Sequence, residues 1–284
     1  MRHFLSVFGY VDAGLHLMPP ALDTITSTGT AIGATLAATT AVSGDSLQVK
    51  NQIGLGNIQL IGLWTDNQVA GQVRVRSPKL HDNVDAIRSR TQIGVLKNLI
   101  PLGAAQKYNP QVTLIVKLSG SAVVGDIESV VQQVYYDDLP GQKARLYTWD
   151  QVRANLMHIL GVRLAITLGT TAGYNGARAI NADVDLLQAN QDYAVFGMTT
   201  DVETAAVCLR GPDTGNLRVS VPGEPDLTED TSWWFKNISF WSGLPLIPVI
   251  NSANKGATLI DCANDENGGT ANITLWLGMV KNFS

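Results

Sequence analysis

Charge is what this sequence has least of: Asp, Glu, Lys and Arg together make up 15% of its 284 residues, against about a quarter in an ordinary soluble domain. A solitary chain with so few charges would be poorly solvated, whereas the cores of interfaces are depleted of charge. The scarcity therefore points to a protein that covers much of its exterior with neighbours. The 20 Lys and Arg against 24 Asp and Glu leave a net charge of −4, and no basic run occurs, so direct, sequence-specific nucleic-acid binding is not expected. Cysteine is nearly absent. Cys208 ("AAVCLRG") and Cys262 ("LIDCAND") each lie among apolar or small residues, which predicts buried free thiols and a reducing compartment. Long hydrophobic runs are missing too: "TAIGATLAATTAV" at 30–42 is too short and too weakly apolar to span a bilayer. The N-terminal run is interrupted by Asp12 and has no small-residue cleavage site, so no secretory leader is predicted and the chain reads as soluble.

Motifs that carry chemistry are equally sparse. There is no His-x-His, Cys-x-x-Cys or His-Glu-x-x-His, which leaves zinc without its usual ligand sets. The segment "GSAVVG" at 120–125 has no lysine to make a phosphate-binding loop. Asp137-Asp138 and Asp261 with Asp265-Glu266 are read as solvated turn carboxylates rather than calcium ligands. No cofactor and no metal are expected. One tetrapeptide, Gly44-Asp45-Ser46-Leu47, matches the nucleophile motif of GDSL-type esterases. That chemistry needs a histidine base held by an aspartate, yet the last histidine is His158 and none of the four stands three residues after an aspartate. Ser46 is expected to begin a strand after a Ser43-Gly44-Asp45 turn.

What the sequence does have is β-branched and apolar residues in short runs, cut by Gly, Asn, Asp and Pro. Examples are "IQLIGLW" (58–64), "GQVRVRS" (71–77), "VTLIVKLSG" (112–120), "SVVQQVYY" (129–136), "YAVFGMTT" (193–200), "AAVCLRG" (205–211), "NLRVSV" (216–221) and "NITLWLGMV" (272–280). A mainly β fold follows. Two stretches depart from it. Thr148 and Gln151 form a capping box ahead of Val152, Leu156, Ile159 and Leu160 at helical spacing, predicting a helix over 149–160. Val84, Ile87 and Thr91 suggest a short helix within a long loop at 81–99.

The two halves also match in order. Ile25-Thr26 falls on Ile166-Thr167, Gly29-Thr30 on Gly169-Thr170, Gly62 on Gly197, "VRVRSP" (73–78) on "VCLRGP" (207–212), Ile100-Pro101 on Ile247-Pro248 and Thr113-Leu114-Ile115 on Thr258-Leu259-Ile260. The offset drifts only between about 134 and 148. A duplicated unit of some eight strands, with one long loop at the same relative place (77–99 and 211–246), suits an eight-stranded jelly roll. The expected architecture is two tandem jelly rolls, residues 1–142 and 143–284, joined by the short helix.

In that architecture the chain resembles the double jelly-roll major capsid proteins of adenovirus-like and membrane-containing icosahedral viruses and phages. The resemblance covers the whole chain and rests on architecture, with no diagnostic motif. It implies a structural virion protein, made in the host cytoplasm, that assembles as homotrimers of pseudo-hexameric outline into an icosahedral shell. It further implies contacts with neighbouring capsomers, with minor capsid or vertex proteins and with a viral membrane where one underlies the shell. The densest aromatic region, "TSWWFKNISFWSG" (231–243), supplies the interface candidates Trp233, Trp234, Phe235, Phe240 and Trp241, because aromatic rings bury large areas at small entropic cost. The competing readings are a receptor- or carbohydrate-binding β-sandwich using the same tryptophans and, more distantly, an esterase using Ser46.

Overall fold

Residues that alternate between β-branched and polar types pay least to adopt extended backbone and cover one face of a sheet, and strands accordingly dominate. The computed structural model describes residues 20–30, 37–38, 40–42, 45, 58–65, 71–76, 87–91, 106–107, 115–119, 127–137, 139, 141–264, 268–281 and 283. Within them the protein is mainly β, with several antiparallel sheets, none closed on itself.

The first half contains β1 (Ala21–Thr30), β2 (Ala37–Ala38), β3 (Thr40–Ala41), β4 (Ile58–Thr65), β5 (Gly71–Arg76), β6 (Ile87–Thr91), β7 (Gln106–Lys107), β8 (Ile115–Ser119) and β9 (Ile127–Tyr136). They form a sheet of order β3-β1-β9-β4-β7 and another of order β2-β8-β5-β6. The second half contains β10 (Leu146–Tyr147), helix α1 (Trp149–Asn155), β11 (Leu156–Leu168), β12 (Gly173–Ala179), β13 (Asp192–Thr200), β14 (Thr204–Arg210) and β15 (Val219–Gly223). It continues with helices α2 (Thr228–Thr231) and α3 (Trp234–Ser242), then β16 (Ile247–Asn251), β17 (Leu259–Asn264) and β18 (Gly269–Val280). Its sheets run β10-β16-β13-β18-β11 and β12-β17-β14-β15. Strand for strand, β1-β9-β4-β7 has the connectivity of β11-β18-β13-β16, and β2-β8-β5-β6 that of β12-β17-β14-β15.

The match extends to one irregularity. The register of β4 against β9 shifts between Leu60 and Gly62, and that of β13 against β18 shifts between Val195 and Gly197, so each half carries a bulge-like break in the same strand at a glycine. A Cβ on Gly197 would lie 1.9 Å from the Thr231 carbonyl oxygen: the chain entering α3 crosses this strand where no side chain fits. Several other matches fall on corresponding strands, whereas Gly169-Thr170, matched to Gly29-Thr30 of β1, follows the end of β11 at Leu168. Ile25-Thr26 is in β1 and Ile166-Thr167 in β11, Val73–Arg76 is in β5 and Val207–Arg210 in β14, and Ile115 is in β8 and its match Ile260 in β17. Pro78 and Ile100-Pro101 lie outside the described residues.

Two expectations are corrected. The helix predicted for 149–160 ends at Asn155, and Leu156 to Leu168 is a strand. Its start is as expected: Thr148 accepts from the Gln151 N–H at 3.3 Å and donates its own N–H to Gln151 Oε1 at 2.9 Å. Val152 is buried, but Ile159 is 49% exposed. The reason is that Leu156–Leu168 pairs with β18 almost to its full length, and a long ladder with Val162, Leu164 and Ile166 turned inward outweighs one further helical turn. In the 81–99 stretch, Ile87–Thr91 is a strand paired with β5 rather than part of a helix; 81–86 and 92–99 lie outside the described residues.

Both cysteines are buried and free, and burial pushes the Cys262 thiol up to about 12. Among the described residues no helix is long and apolar enough to cross a membrane.

Candidate interface surfaces

The five aromatic candidates do not act together. Trp234 and Phe235 are fully buried. The Trp234 ring meets Trp64 of β4 edge to face at 5.5 Å and its Nε1 donates to Gln133 Oε1 of β9 at 3.2 Å. Trp233, half-buried, lies 5.3 Å from Phe196, which in turn has Trp149 of α1 6.0 Å away. Phe240 and Trp241, on the last turn of α3, are 60% and 57% exposed. Amphipathic spacing explains the division: Trp234, Phe235 and Ile238 lie on the inner side of α3, and Gly243 ends the helix in the left-handed region at φ 70°, its N–H donating to the Ser239 carbonyl.

The buried rings belong to a seam between the halves. Besides Trp234, Trp64 Nε1 donates to the Ala205 carbonyl at 2.8 Å, Gln133 Nε2 donates to the Ser220 carbonyl at 2.8 Å, and the Thr24 and Ser220 hydroxyls lie 2.7 Å apart. The seam joins unlike sheets: the β1-β9-β4 side of the first half lies on the β12-β17-β14-β15 sheet of the second. At one end the Tyr174 hydroxyl of β12 donates to Asp45 Oδ2 at 2.6 Å, and the Thr26 N–H donates to the same oxygen at 2.7 Å. Arg218 stacks over the Tyr174 ring at 3.6 Å. Asp261, 2% exposed, pairs with Arg218 and Arg210, each at 3.2 Å. Burial raises the Asp45 carboxyl to about 6 against the opposing pull of the Tyr174 and Thr26 donors, and burial likewise raises Asp261 despite its two arginines.

A second polar cluster fixes the entry to the second half. Arg145 holds Asp192 with both guanidinium nitrogens, at 2.9 and 2.8 Å, and Asn251 Nδ2 and the Phe283 N–H also donate to it. Although burial resists ionisation, these donors hold Asp192 below the usual carboxylate range.

Register gathers a third feature. Arg74 of β5 stands opposite Arg88 of β6 on one side and Lys117 of β8 on the other, and Arg90 stands opposite Gln72. Two-residue periodicity adds Arg76 to the same face. The signal was partly legible in "VRVR", but Arg88 and Arg90 fell in the stretch read as helical, and Lys117 is remote in sequence. The seam had no local signal at all.

Ser46 lies outside the described residues; its neighbour Asp45 is engaged by Tyr174 and Thr26. Asp138, Asp265 and Glu266 also lie outside them, and among the described residues no cluster of His, Cys, Asp or Glu has the makings of a metal site.

No family model matches the chain. No curated protein matches it either. Weak structural neighbours include two phage proteins. One is the PBSX exported protein XepA, with 10% identity and a TM-score of 0.25 over 91% of this chain and 86% of that one. The other is the major capsid protein P2 of Bacteriophage PM2, with 9% identity and a TM-score of 0.22 over 93% of this chain and 98% of that one. Neither likeness is close enough to carry a fold or a role across to this chain.

Proposed function

We propose that the chain is a major capsid protein built of two tandem jelly rolls, residues 1–142 and 143–284, that assembles as trimers into an icosahedral shell. The observation that supports this reading is the repeated strand order, β1-β9-β4-β7 with β2-β8-β5-β6 and β11-β18-β13-β16 with β12-β17-β14-β15, which suits two eight-stranded jelly rolls. The seam supports it further. It joins one kind of sheet in the first half to the other kind in the second, a head-to-tail contact of the sort that closes into rings when repeated around an axis. Three chains then supply six units, giving the sixfold outline from a threefold assembly. Low charge and the exposed Phe240 and Trp241 suit further burial between copies.

In this reading the chain is not an enzyme and uses no cofactor. Its partners are its own copies, neighbouring capsomers, vertex or minor capsid proteins and a membrane if one lies beneath, and its place is the virion. Negative-stain microscopy of concentrated protein is the test: shells or uniform threefold particles are expected, and dispersed single chains contradict it.

A carbohydrate-binding surface is the second reading, favoured by the exposed pair Phe240 and Trp241 on one helix end. Trp233 and Trp234 are too enclosed to serve there. Glycan binding abolished by Trp241→Ala in a protein that stays monomeric is the result that would select it.

A further inference from the structure

We infer that the outer face of β11 and β18 is the docking surface for the first half of a second copy of this chain; the inference rests on the trimeric reading above and names the surface that such a trimer uses. The register makes this face the counterpart of the seam. In the first half, Thr24, Gln133 and Gly62 form a row across β1, β9 and β4. Gly161, Trp276 and Gly197 form the same row across β11, β18 and β13, through the same break at a glycine. Two residues to either side, the pair Leu22 and Tyr135 answers to Ile159 and Gly278, and the pair Thr26 and Val131 to Arg163 and Thr274.

The two faces differ in what covers them. Leu22, Thr24, Thr26, Val131, Gln133 and Tyr135 are all buried, with the Thr24 hydroxyl and the Gln133 amide both meeting Ser220 of the other half. On the counterpart face Ile159 is 49% exposed, Gly161 and Arg163 are exposed, and Thr274 and Trp276 are half-buried. Only the β13 side is roofed, where Thr231 and Ser232 lie over Gly197.

The open part has the make-up of a contact surface. A glycine inside a strand commonly marks a bulge, a bend or the close approach of another backbone. At Gly161 the ladder with β18 is unbroken, from His158 to Leu168. A Cβ there would lie 3.4 Å from Thr274 Cγ2 and 3.7 Å from the Trp276 ring, so nothing within one chain crowds the position, and the close approach is left to a neighbour. Arg163 is the one charged residue that the register places on this face of the two strands, and Asp201 is near enough to feel its charge. Such sparse charge suits the core of an interface.

The face, and not the edge, is what β11 offers. It is the outermost strand of its sheet, but at Ala165 its edge is closed by side chains. Asp183 Oδ2 accepts the Ala165 N–H at 2.7 Å, and Arg178 donates to the Ala165 carbonyl at 2.6 Å, which blunts the edge against strand addition. A second copy is the occupant because one chain already contains the contact: the β1-β9-β4 face takes the other half of the molecule, and the like face on β11 and β18 is left without one. A contact whose two sides differ passes from copy to copy and closes into a ring where the rotation allows.

The experiment is native mass spectrometry of the full chain over a range of concentration, with Ile159→Glu and Gly161→Gln beside the parent. Both positions are exposed in a single chain, so each variant should keep the parent's melting temperature when diluted to the monomer. Ile159→Glu buries a carboxylate in the contact, and Gly161→Gln holds the copies apart where only a bare backbone fits. Each should raise the concentration at which trimers dissociate by about tenfold or more. Trimers that neither substitution weakens overturn this assignment and leave the trimeric reading standing. A parent chain that stays single at every concentration overturns both. Dimers that either substitution dissolves overturn the head-to-tail occupant, because two β11 faces would then be meeting each other.

Discussion

The same three-strand row is occupied by Ser220, Cys208 and Asp261 in the second half and by Arg88, Arg74 and Lys117 in the first. Strand order and register are alike, but composition is opposite. In the second half the row is covered by the other half of the chain: Ser220 meets Thr24, Asp45 lies over the Tyr174 end, and the one acid of the row balances Arg210 and Arg218. In the first half the row holds three cations. The comparison teaches that a β framework can be repeated while its outer faces diverge, because inward residues answer to packing and outward residues answer to whatever covers them.

The largest break in that comparison is expected at the covered row. Trp234→Ala removes a fully buried ring that touches Trp64 and Gln133 of the other half, and should cost about 3–5 kcal/mol in chemical denaturation. A loss under about 1 kcal/mol would mean that the seam contributes little.

The paired glycines give the next contrast. Gly197→Ala drives a methyl into the Thr231 and Ser232 backbone, whereas the nearest atom to a Cβ on Gly62 is a ring carbon of Trp64 at 3.0 Å, with the Gln133 side chain behind it. Gly197→Ala should lower the melting temperature well below the parent and Gly62→Ala by less, each through overpacking that typically costs about 1–3 kcal/mol. Equal effects would break the proposed difference in what covers the two strands.

The pH response is smaller. Asp45 titrates at about 6 in the fold against 3.8 as its ordinary value. The folded protein therefore holds this proton more tightly than the unfolded chain, so the group's contribution to stability falls as pH rises from 3.8 to about 6 and is flat above. Asp45→Asn keeps an oxygen acceptor for Tyr174 and Thr26, and should flatten that slope and raise stability at neutral pH. An unchanged slope in urea denaturation across this window would show that Asp45 is not buried in the seam. Smallest of all, Arg74→Gln with Arg88→Gln should raise stability by less than about 1 kcal/mol through relief of a like-charged cross-strand pair.

Local patterns carried part of this structure. "GQVRVR" and "SVVQQVYY" became β5 and β9, and the Thr148–Gln151 capping box fixed where α1 begins. Where α1 ends was not legible, because Leu156 to Leu160 fits a helical stripe as well as a strand and only the distant β18 decides between them. The same holds for "IRSRT", which pairs with β5 rather than forming a helical turn of its own. The order of matched segments pointed to a repeat, and helical spacing separates the inward rings of α3 from Phe240 and Trp241, but that Trp234 and Trp233 meet Trp64 and Phe196 is decided by contacts remote in sequence. Tyr174 and Asp45, 129 residues apart, meet only because two sheets do.

Native mass spectrometry at low micromolar concentration shows whether the chain assembles with copies of itself, as the proposed shell requires. A species of three times 30.4 kDa, weakened by Trp241→Ala or Phe240→Ala, is expected. A 30.4 kDa chain that stays single and disperse at that concentration would contradict it.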